Sequence, residues 1–472
     1  KRDFEKERSG KRNTKSTEKF QIITYLKSAK QIKICLAFFF NNLCYNKVEN
    51  YKKIREEEIK IMNLNRNEKH SFEIAIIGGG ASGFITAITA KRRGKSVVIL
   101  EKKDRVLKKV LTTGNGRCNY TNVTANIKNY YGQNIEKVEH ILNSFTPDDT
   151  IKFFQEIGIE PKFRDKGKAY PMSDQASSVV DALRFEAEKL GVEIVTSFDV
   201  RDFKKEGDKF AITSTDGQKY TAKKIVMSTG GKSYPELGSD GKGFEIVKKL
   251  GHKVTELKPA LVQLKTDKEA VKGMQGVKVD TKIDALYKNK IVAQEEGELL
   301  FTDYGISGNA IFYISYITAL HDDLVFSVDF MPMYEYDVLL KMLEQRKSNL
   351  SYMTTENFLN GIINKKLGQF LIKKSGIEKL SYKVSDLTEI QLKKIVEILK
   401  SYKIEILETT GFKNAQVTAG GIYLDEIDME TLESKKVKGL YFTGEIMDVF
   451  GDCGGYNLQW AWASGHFVGN EI

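Results

Sequence analysis

The sequence FEIAIIGGGASGFITAITAKRRGKSVVILE, residues 72–101, predicts a strand, a glycine turn, a helix and a second strand in that order. Gly78, Gly80 and Gly83 have G-x-G-x-x-G spacing, which permits a tight turn, the approach of a pyrophosphate and close packing of the helix on the strand. Glu101 ends the second strand, where an acid can accept hydrogen bonds from ribose hydroxyls. These features predict a dinucleotide site with the phosphates at the helix N-terminus, against the alternative of a glycine-rich turn in an unrelated α/β protein.

The net charge of +11 is unevenly distributed along the 472 residues. Residues 1–61 contain 16 Lys and Arg against 8 Asp and Glu, which leaves +3 for the other 411 residues. A nearly neutral body argues against a nucleic-acid partner. Four cysteines and five scattered histidines show neither a disulfide framework nor zinc-ligand spacing. We therefore expect no metal, no membrane association and a cytoplasmic location, and the sequence leaves the oligomeric state open.

Residues 1–71 form a basic leader that we interpret as non-native or disordered. Its apolar patch, residues 34–40, is too short to span a membrane and too far along the chain for an ordinary signal peptide. Glutamates 56–58 can be encoded by a purine-rich ribosome-binding sequence three codons before Met62, so we expect the natural protein to start there. A helix-forming basic tail is the alternative.

Two further glycine-rich segments are candidates for contact with the same ligand. TTGNGRCNYTN places glycines beside Arg117, a cation suited to phosphate or flavin oxygens, although a plain surface loop has the same composition. Residues 193–228 alternate apolar and polar and predict a small antiparallel sheet inserted into the nucleotide domain. This sheet leads into residues 229–231, whose glycines permit another close approach. The following GGKSYP is not a P-loop, because Val226 stands where that motif requires glycine.

The middle of the chain changes character twice. Residues 259–330 are mostly strand-like and predict a barrel or a sandwich. Apolar residues then recur at helical spacing, and Asp386 with Glu389 is the predicted N-terminal capping pair of one helix. A final strand and a glycine-started helix, residues 454–464, imply that the middle is inserted into one nucleotide-binding domain. The predicted domains are residues 72–255 with 410–472 for nucleotide binding, 256–333 with 403–409 for the β-barrel, and 334–402 for a helical insert.

The C-terminal region suggests a ligand with a second large end. Glu445 follows a strand and is placed to bind a ribityl hydroxyl, and the helix that starts near Gly454 would direct its positive end at the pyrimidine edge of an isoalloxazine. An NAD-only dehydrogenase would need just the first glycine motif. Without a flavin, Glu445 would be an ordinary surface acid.

Six motifs together resemble the BaiN-like flavoprotein family, whose members are also described as NAD(P)/FAD-dependent oxidoreductases or aminoacetone oxidase family enzymes. The motifs are GGGASG, TTGNGRCNYTN, GGKSYPELGSDGKGF, GELLFTDYGISG, TAGG and YFTGEIMDVFGDCGGYNLQWAWASG. The resemblance covers residues 72–472 in order and spacing. It implies an α/β fold in which a Rossmann-like, glutathione-reductase-type FAD domain is interrupted by a β-barrel domain that carries a helical insert.

The same resemblance implies which residues contact FAD. They are Gly78, Gly80, Ala81, Ser82, Gly83, Glu101, Arg117, Asn119, Val200, Thr229, Gly230, Glu445, Gly455, Tyr456, Asn457 and Leu458. Their neighbours Lys102, Cys118, Gly231 and Gly444 complete the predicted cofactor-binding set.

Three polar residues are the predicted candidates for proton handling: Tyr234, Tyr304 and Asp303. Asp303 stands where family members commonly have histidine, and Asn309 stands where they commonly have proline. Asp303 is therefore either a changed catalytic position or a plain loop acid. Cys118 and Cys453 are absent from any C-x-x-C pair, so we expect buried thiols rather than a redox disulfide.

The sequence thus predicts an FAD-dependent oxidoreductase that moves a hydride between flavin and a small organic substrate. NAD(P)H is the expected transient co-substrate, and an unsaturated carbonyl or bile-acid-like compound is the expected acceptor. No second G-x-G-x-x-G motif indicates a separate nicotinamide domain. The alternatives are an amine oxidase that uses oxygen, an RNA-modifying flavoenzyme, which would need a basic face, and a non-catalytic flavin-binding redox sensor.

Overall fold

A parallel sheet with covering helices forms the nucleotide-binding part of the protein. The computed structural model describes residues 70–472, so the basic leader and the expected start at Met62 lie outside the described residues. The first part of the chain forms β1 (Ser71–Ile77), α1 (Ala81–Arg92), β2 (Val97–Leu100), α2 (Lys108–Thr112), β3 (Thr121–Asn122), β4 (Tyr130–Tyr131), α3 (Glu139–Ser144), α4 (Pro147–Glu156), β5 (Pro161–Arg164), β6 (Lys168–Pro171), α5 (Ala176–Lys189), β7 (Glu193–Val195), β8 (Val200–Glu206), β9 (Lys209–Ser214), β10 (Lys219–Met227) and α6 (Lys242–Lys249).

The rest of the chain builds a barrel, a helical segment and a return to the first sheet. Its elements are β11 (Lys258–Ala260), β12 (Leu264–Thr266), β13 (Lys278–Tyr287), β14 (Lys290–Phe301), β15 (Gly305–Ser307), α7 (Asn309–Ile314), α8 (Ile317–Leu320), β16 (Val325–Asp329), α9 (Tyr336–Asn349), α10 (Lys365–Lys374), α11 (Glu389–Lys400), β17 (Tyr402–Thr409), β18 (Val417–Ala419), β19 (Leu440–Phe442), β20 (Phe450–Gly451) and α12 (Tyr456–Glu471).

β1 lies inside the sheet, between β2 and β10, and both neighbours run parallel to it. Residues 74–77 of β1 are at most 4% exposed, as expected of a strand covered on both faces. The order of strand, glycine turn, helix and strand predicted for residues 72–101 is confirmed, and the fold is α/β with a Rossmann-type nucleotide-binding sheet.

The strands β7 and β10 correct the prediction that residues 193–228 form a small antiparallel sheet inserted into the nucleotide domain. β7 pairs parallel with β2, and β10 pairs parallel with β1, so both belong to the main sheet. The antiparallel part consists of the hairpin of β8 and β9 and of residues 219–222 of β10, which pair with β9. The C-terminal residues 225–227 of β10 pair with β19. A nine-residue strand is long enough to carry both neighbours on one edge.

A closed barrel is formed by six strands in the order β12, β15, β14, β13, β16 and β17. β11 lies outside this barrel and pairs with β18. Helices α9, α10 and α11 fall between the last two barrel strands in the sequence. Their buried residues, among them Leu343, Leu371 and Val396, belong to the same hydrophobic core as the barrel residues Ile283 and Phe326. The helices are therefore part of the barrel's packing unit.

The start of α11 corrects the predicted capping pair. Thr388, and not Asp386, is the N-cap residue: its hydroxyl accepts from the Gln391 backbone N–H at 3.2 Å, and the Gln391 side chain accepts from the Thr388 N–H at 2.9 Å. Asp386 ends a separate short 3₁₀ turn, and Leu387 after it is extended. The helix therefore begins two residues later than Asp386 would require.

The last helix, α12, crosses α1 at very short range. A Cβ atom on Gly465 would lie 2.2 Å from Cγ2 of Ile85 and 2.5 Å from the carbonyl oxygen of Ser82. Only glycine allows this approach of two backbones. α12 also carries Trp460 and Trp462, which are both buried and are the two tryptophans of the chain.

Two kinds of feature are absent from the part of the chain that the structure describes. Within residues 70–472, no helix combines the length and hydrophobicity needed to cross a membrane. The same residues contain no group of three or more His, Cys, Asp and Glu side chains placed to hold a metal ion.

We predict that Gly465→Ala destabilises the nucleotide-binding part by about 1–3 kcal/mol, because the added methyl group overpacks the crossing of α1 and α12. Urea unfolding followed by tryptophan fluorescence is the measurement, since both tryptophans lie on α12. Gly368→Ala in α10 is the matched control, because the nearest atom to its added methyl group is at 3.1 Å. Equal stability of the two variants would contradict the close crossing.

Candidate functional site

The turn between β1 and α1 presents backbone to a large cavity. Gly78 has φ of +107°, and a Cβ atom on it would lie 2.4 Å from the carbonyl oxygen of Ser228. Gly80 is the N-cap of α1, and a Cβ atom on it would meet no atom of residues 70–472 within 4 Å. The N-terminus of α1 is therefore open to a ligand and offers free N–H groups to negative charge.

Glu101 holds this turn in place from the end of β2. Its Oε2 accepts a hydrogen bond from the Gly79 N–H at 2.7 Å, and its Oε1 accepts from the Lys103 N–H at 2.8 Å. Each carboxylate oxygen retains acceptor capacity, and Glu101 lines the cavity. The acid therefore has a structural contact with the glycine turn as well as the predicted position for a ribose hydroxyl.

The cavity has a volume of about 760 Å³ and is lined by both parts of the protein. Most of the predicted cofactor-binding residues line it, together with one predicted catalytic residue: Gly78, Gly80, Ala81, Ser82, Glu101, Lys102, Arg117, Asn119, Val200, Thr229, Gly230, Glu445, Gly455, Asn457, Leu458 and Tyr234. The structure thus brings together residues from Gly78 to Leu458 around one space.

Five predicted cofactor-binding residues lie behind the cavity wall: Gly83, Cys118, Gly231, Gly444 and Tyr456. Two of them, Gly83 and Gly231, stand where the backbone packs closely on other atoms. A Cβ atom on Gly83 would lie 2.2 Å from the Gly78 carbonyl oxygen, so this glycine lets α1 pack on the turn. A Cβ atom on Gly231 would lie 2.4 Å from the Thr418 hydroxyl oxygen.

Two buried side-chain oxygens in the wall have no hydrogen-bond partner among residues 70–472. They are Oδ1 of Asn119 and Oγ1 of Thr229. Both residues line the cavity, and buried polar groups are nearly always hydrogen-bonded in native proteins. A ligand with donors near both oxygens would satisfy them, so the wall fits a polar dinucleotide such as FAD.

Glu445 lies on a short turn after β19 and is held from two sides. Its Oε1 accepts from the Thr418 N–H at 2.7 Å, and its Oε2 accepts from Nζ of Lys109 at 2.9 Å. The side chain retains 18% of its exposure. Glu445 is therefore a fixed acceptor in the cavity wall, in contrast to the alternative of an unconstrained surface acid.

The N-terminus of α12 forms another part of the wall. Gly455 is its N-cap, and the Asn457 side chain fixes the preceding loop by accepting from the Gly451 N–H and donating to the Gly451 carbonyl, both at 2.8 Å. A helix of 16 residues thereby directs its positive end into the cavity. This end favours an electron-rich or anionic ligand edge.

The barrel-side wall contains aromatic rings covered by cations, which the sequence reasoning missed. Nζ of Lys166 and Nζ of Lys168 lie 4.7 and 4.9 Å from the ring centre of Tyr313, a residue of α7. Burial raises the pKa of Tyr313 to about 12, with a further contribution from Cys453. The hydroxyl is therefore protonated at neutral pH. Tyr313 lies in the apolar run NAIFYIS. In the sequence, this run is connected to the site only through the adjoining GISG motif.

Tyr170 shows the same arrangement beside Tyr313. The guanidinium groups of Arg164 and Arg117 lie 5.0 and 5.9 Å from its ring centre. Arg164 also forms an ion pair with Asp174 at 2.6 Å. The cations of this wall are thus held against rings or carboxylates.

The two thiols of the predicted flavin motifs are both free. Burial raises the pKa of Cys118 to about 12, and a hydrogen bond with Thr113 partly opposes this shift. Burial likewise raises the pKa of Cys453, which lines the cavity, to about 12. Neither thiol is therefore set up as a thiolate nucleophile.

The structure separates the three predicted catalytic residues. Tyr234 lines the cavity, whereas Asp303 and Tyr304 are outside its lining. They occupy the turn between β14 and β15, where Asp303 is exposed and the Tyr304 carbonyl accepts from the Thr266 N–H at 3.2 Å. The turn lies beyond the strand ends that face the cavity. Asp303 and Tyr304 therefore belong to the shared motif without lining the cavity. Asn309, the other departure from the family, does line the cavity.

The chain is similar to several known enzymes in sequence and in structure. A 3-dehydro-bile acid delta(4,6)-reductase from Clostridium scindens is 40% identical over 402 residues, which cover 84% of this chain and 98% of the relative. A ribosomal RNA dihydrouridine synthase from Escherichia coli is 32% identical over 396 residues, which cover 83% and 96%. Among solved structures, a 3-ketosteroid-delta4-(5alpha)-dehydrogenase from Rhodococcus jostii has a TM-score of 0.46 and 14% identity, covering 85% of this chain and 96% of that one.

The family match covers nearly the same residues as the sequence motifs. Residues 72–471 match the family described as HI0933-like protein Rossmann domain. The predicted class of enzyme, an oxidoreductase with a Rossmann-type nucleotide-binding domain, is thereby confirmed. The chain belongs to the HI0933-like family.

Proposed function

We propose that the protein is an FAD-dependent reductase that saturates a carbon–carbon double bond conjugated to a carbonyl group in a small organic substrate, with NAD(P)H as the electron donor. The main support is the single cavity of about 760 Å³ that joins the glycine turn of α1 to the aromatic wall of the barrel. Such a space has room for a dinucleotide along one side and a substrate against the other.

The residues that would hold FAD follow from the wall. The N-terminus of α1, from Gly78 to Ser82, would bind the pyrophosphate, and Glu101 would bind the adenosine ribose. Asn119 and Thr229 offer the two unpartnered oxygens. The N-terminus of α12 would lie at the ring end and stabilise negative charge there.

Bound FAD supplies reversible hydride transfer, which side chains alone do not provide. The chain's own residues bind and orient both partners and exclude water from the space between them. The side chains Leu261, Leu300 and Phe312 on the barrel side are apolar and suit a hydrocarbon skeleton.

The chemistry of the relatives supports this class of reaction. A delta(4,6)-reductase acting on a 3-dehydro bile acid reduces double bonds conjugated to a 3-oxo group. A dihydrouridine synthase reduces the double bond of uracil, which is also conjugated to a carbonyl. Both reactions add a hydride and a proton across an electron-poor double bond, whereas amine oxidation removes a hydride from an electron-rich carbon.

Reduction of uridine in ribosomal RNA is the second candidate. Besides the relative, it is favoured by four alternating cations on the β5–β6 hairpin, namely Lys162, Arg164, Lys166 and Lys168. Three of these are already paired: Lys162 and Arg164 with Asp174 at 2.5 and 2.6 Å, and Lys166 with Glu295 at 2.5 Å. Residues 62–472 carry a net charge of only +3. Neutralised cations release few counterions on binding a polyanion, so the small-molecule substrate is preferred.

We predict that the purified protein carries FAD and that Gly80→Val loses it. The valine side chain would enter the space that the pyrophosphate needs, while its Cβ atom would meet no atom of the described residues within 4 Å. Visible flavin absorbance per protein is the measurement, and Gly80→Ala should give an intermediate loss. Circular dichroism should show the same fold for all three proteins. A colourless wild-type protein that FAD cannot reconstitute would refute the cofactor.

A second prediction concerns the unpartnered Thr229 hydroxyl. Thr229→Val keeps the shape of the side chain and should weaken FAD binding about 3- to 10-fold, because a hydrogen bond contributes about 0.5–1.5 kcal/mol. The FAD-free protein should be at least as stable as wild type, since the lost hydroxyl has no hydrogen-bond partner in the described part of the chain. Fluorescence titration with FAD and thermal unfolding of the FAD-free protein measure the two effects. A destabilised protein with unchanged affinity would show a structural role for this hydroxyl.

Stopped-flow spectroscopy separates the candidate reactions. We expect NADH or NADPH to bleach the flavin and a 3-oxo-4,6-diene bile acid to restore its colour faster than dissolved oxygen does. The Gly80→Val protein controls for reactions without bound flavin. Faster reoxidation by oxygen, with bleaching by aminoacetone, would favour the amine oxidase. Dihydrouridine in a ribosomal RNA transcript, with no reaction of the dienone, would favour the RNA enzyme. Bound FAD without turnover of any of these substrates would favour the redox sensor.

A further inference from the structure

We propose that Tyr313 is the proton donor of the reduction, giving the substrate its proton while the flavin gives it a hydride. This inference rests on the proposed function. It concerns a residue of the barrel, and it replaces Asp303 and Tyr304, which lie outside the cavity lining.

Lys168 links Tyr313 to the N-terminus of α12. The ammonium of Lys168 lies 4.9 Å from the ring centre of Tyr313, and Cε of Lys168 lies 3.7 Å from where a Cβ atom on Gly454 would be. Gly454 directly precedes the N-cap of α12. Tyr313 therefore lies near the helix end at which the flavin ring would be bound, and it lines the same cavity.

The surroundings of Tyr313 suit a proton donor in two ways. A tyrosine hydroxyl is protonated at neutral pH, so Tyr313 has a proton available. The ammonium groups of Lys166 and Lys168, at 4.7 and 4.9 Å from the ring, stabilise the phenolate that would remain after transfer. Lys166 is itself held by Glu295 at 2.5 Å.

Other groups facing the cavity fit the role less well. The Cys453 thiol is directed to the side-chain oxygen of Gln416 at 3.8 Å, and Tyr234 has no cation against its ring among the described residues. Tyr170 carries two guanidinium groups and is the competing candidate. A Cβ atom on Gly114 would lie 3.1 Å from its ring, so Tyr170 is packed against the loop after α2, whereas Tyr313 is linked through Lys168 to α12.

The proposed reduction delivers a hydride to one carbon of the double bond and a proton to the other. The β carbon of the enone would receive a hydride with two electrons, the chemistry that bound FAD would supply after its reduction by NAD(P)H. The α carbon then forms a C–H bond with the Tyr313 proton, and the electron pair of the broken O–H bond stays on the phenolate oxygen. Water returns a proton to the phenolate after the product leaves. The net change is addition of one hydride and one proton to the double bond.

The test uses the full chain loaded with FAD and reduced by dithionite, so that it does not depend on the natural donor. Reduced protein is mixed with a 3-oxo-4,6-diene bile acid, and flavin reoxidation is followed. We expect Tyr313→Phe to slow reoxidation about 100- to 10,000-fold, the usual contribution of a general acid. Binding of the dienone to oxidised protein, read from the flavin spectrum, should be unchanged. Tyr316→Phe, a half-buried tyrosine outside the cavity lining, is the matched control and should behave as wild type.

Variants of Lys168 provide a second readout. Lys168→Met should slow reoxidation about 3- to 30-fold through loss of the cation–π contact, and Lys168→Arg should restore most of the rate. Wild-type reoxidation kinetics in Tyr313→Phe would overturn the inference and leave the proposed function standing. A large loss in Tyr170→Phe alone would also overturn it. Failure of the wild-type protein to react with the dienone would remove the proposed function and this inference together.

Discussion

The close crossing of α1 and α12 is the contact on which the cavity depends. Both helices begin at the cavity wall, and Gly465 brings the α12 backbone against Ser82 in the first turn of α1. The Ser228 and Thr443 hydroxyls, 2.6 Å apart, join the ends of β10 and β19 beneath the same helices. Two helix N-termini from opposite ends of the described chain are thereby fixed relative to each other. Their positive ends can act on one extended ligand only because this packing is tight.

The glycine-turn half of this wall could be predicted from the sequence because its elements follow one another within a short stretch of chain. Strand, turn, helix and acid occur within residues 72–101, and each has a spacing that chemistry restricts. Predictions failed where two residues or two pairings fit the sequence pattern equally well. Asp386 and Thr388 are both good capping residues, and only the preceding 3₁₀ turn determines which one starts the helix. Alternation correctly gave β7 and β9 but could not show that β7 and β10 belong to the parallel sheet.

The barrel-side wall was beyond sequence reasoning for a different reason. Lys168 lies on β6, Tyr313 on α7 and Gly454 before α12, so their contact exists only in the folded chain. Within its own segment, Tyr313 has apolar neighbours and resembles core. Asp303 and Tyr304 were chosen because they belong to a shared motif, yet the hairpin turn carries them away from the cavity. Motif membership indicates a conserved shape of backbone more directly than it indicates a reacting group.

The arrangement of charges on this wall also bears on what the cavity can do. Lys162, Arg164 and Lys166 form ion pairs, whereas within residues 70–472 Lys168 forms none and is directed at the Tyr313 ring. An apolar substrate that fills the cavity expels water and lowers the local dielectric constant. The attraction between an ammonium group and a developing phenolate then becomes stronger at the stage when a proton must leave. A cation held on a ring, rather than on a carboxylate, is therefore suited to favour phenolate formation only once a substrate has entered.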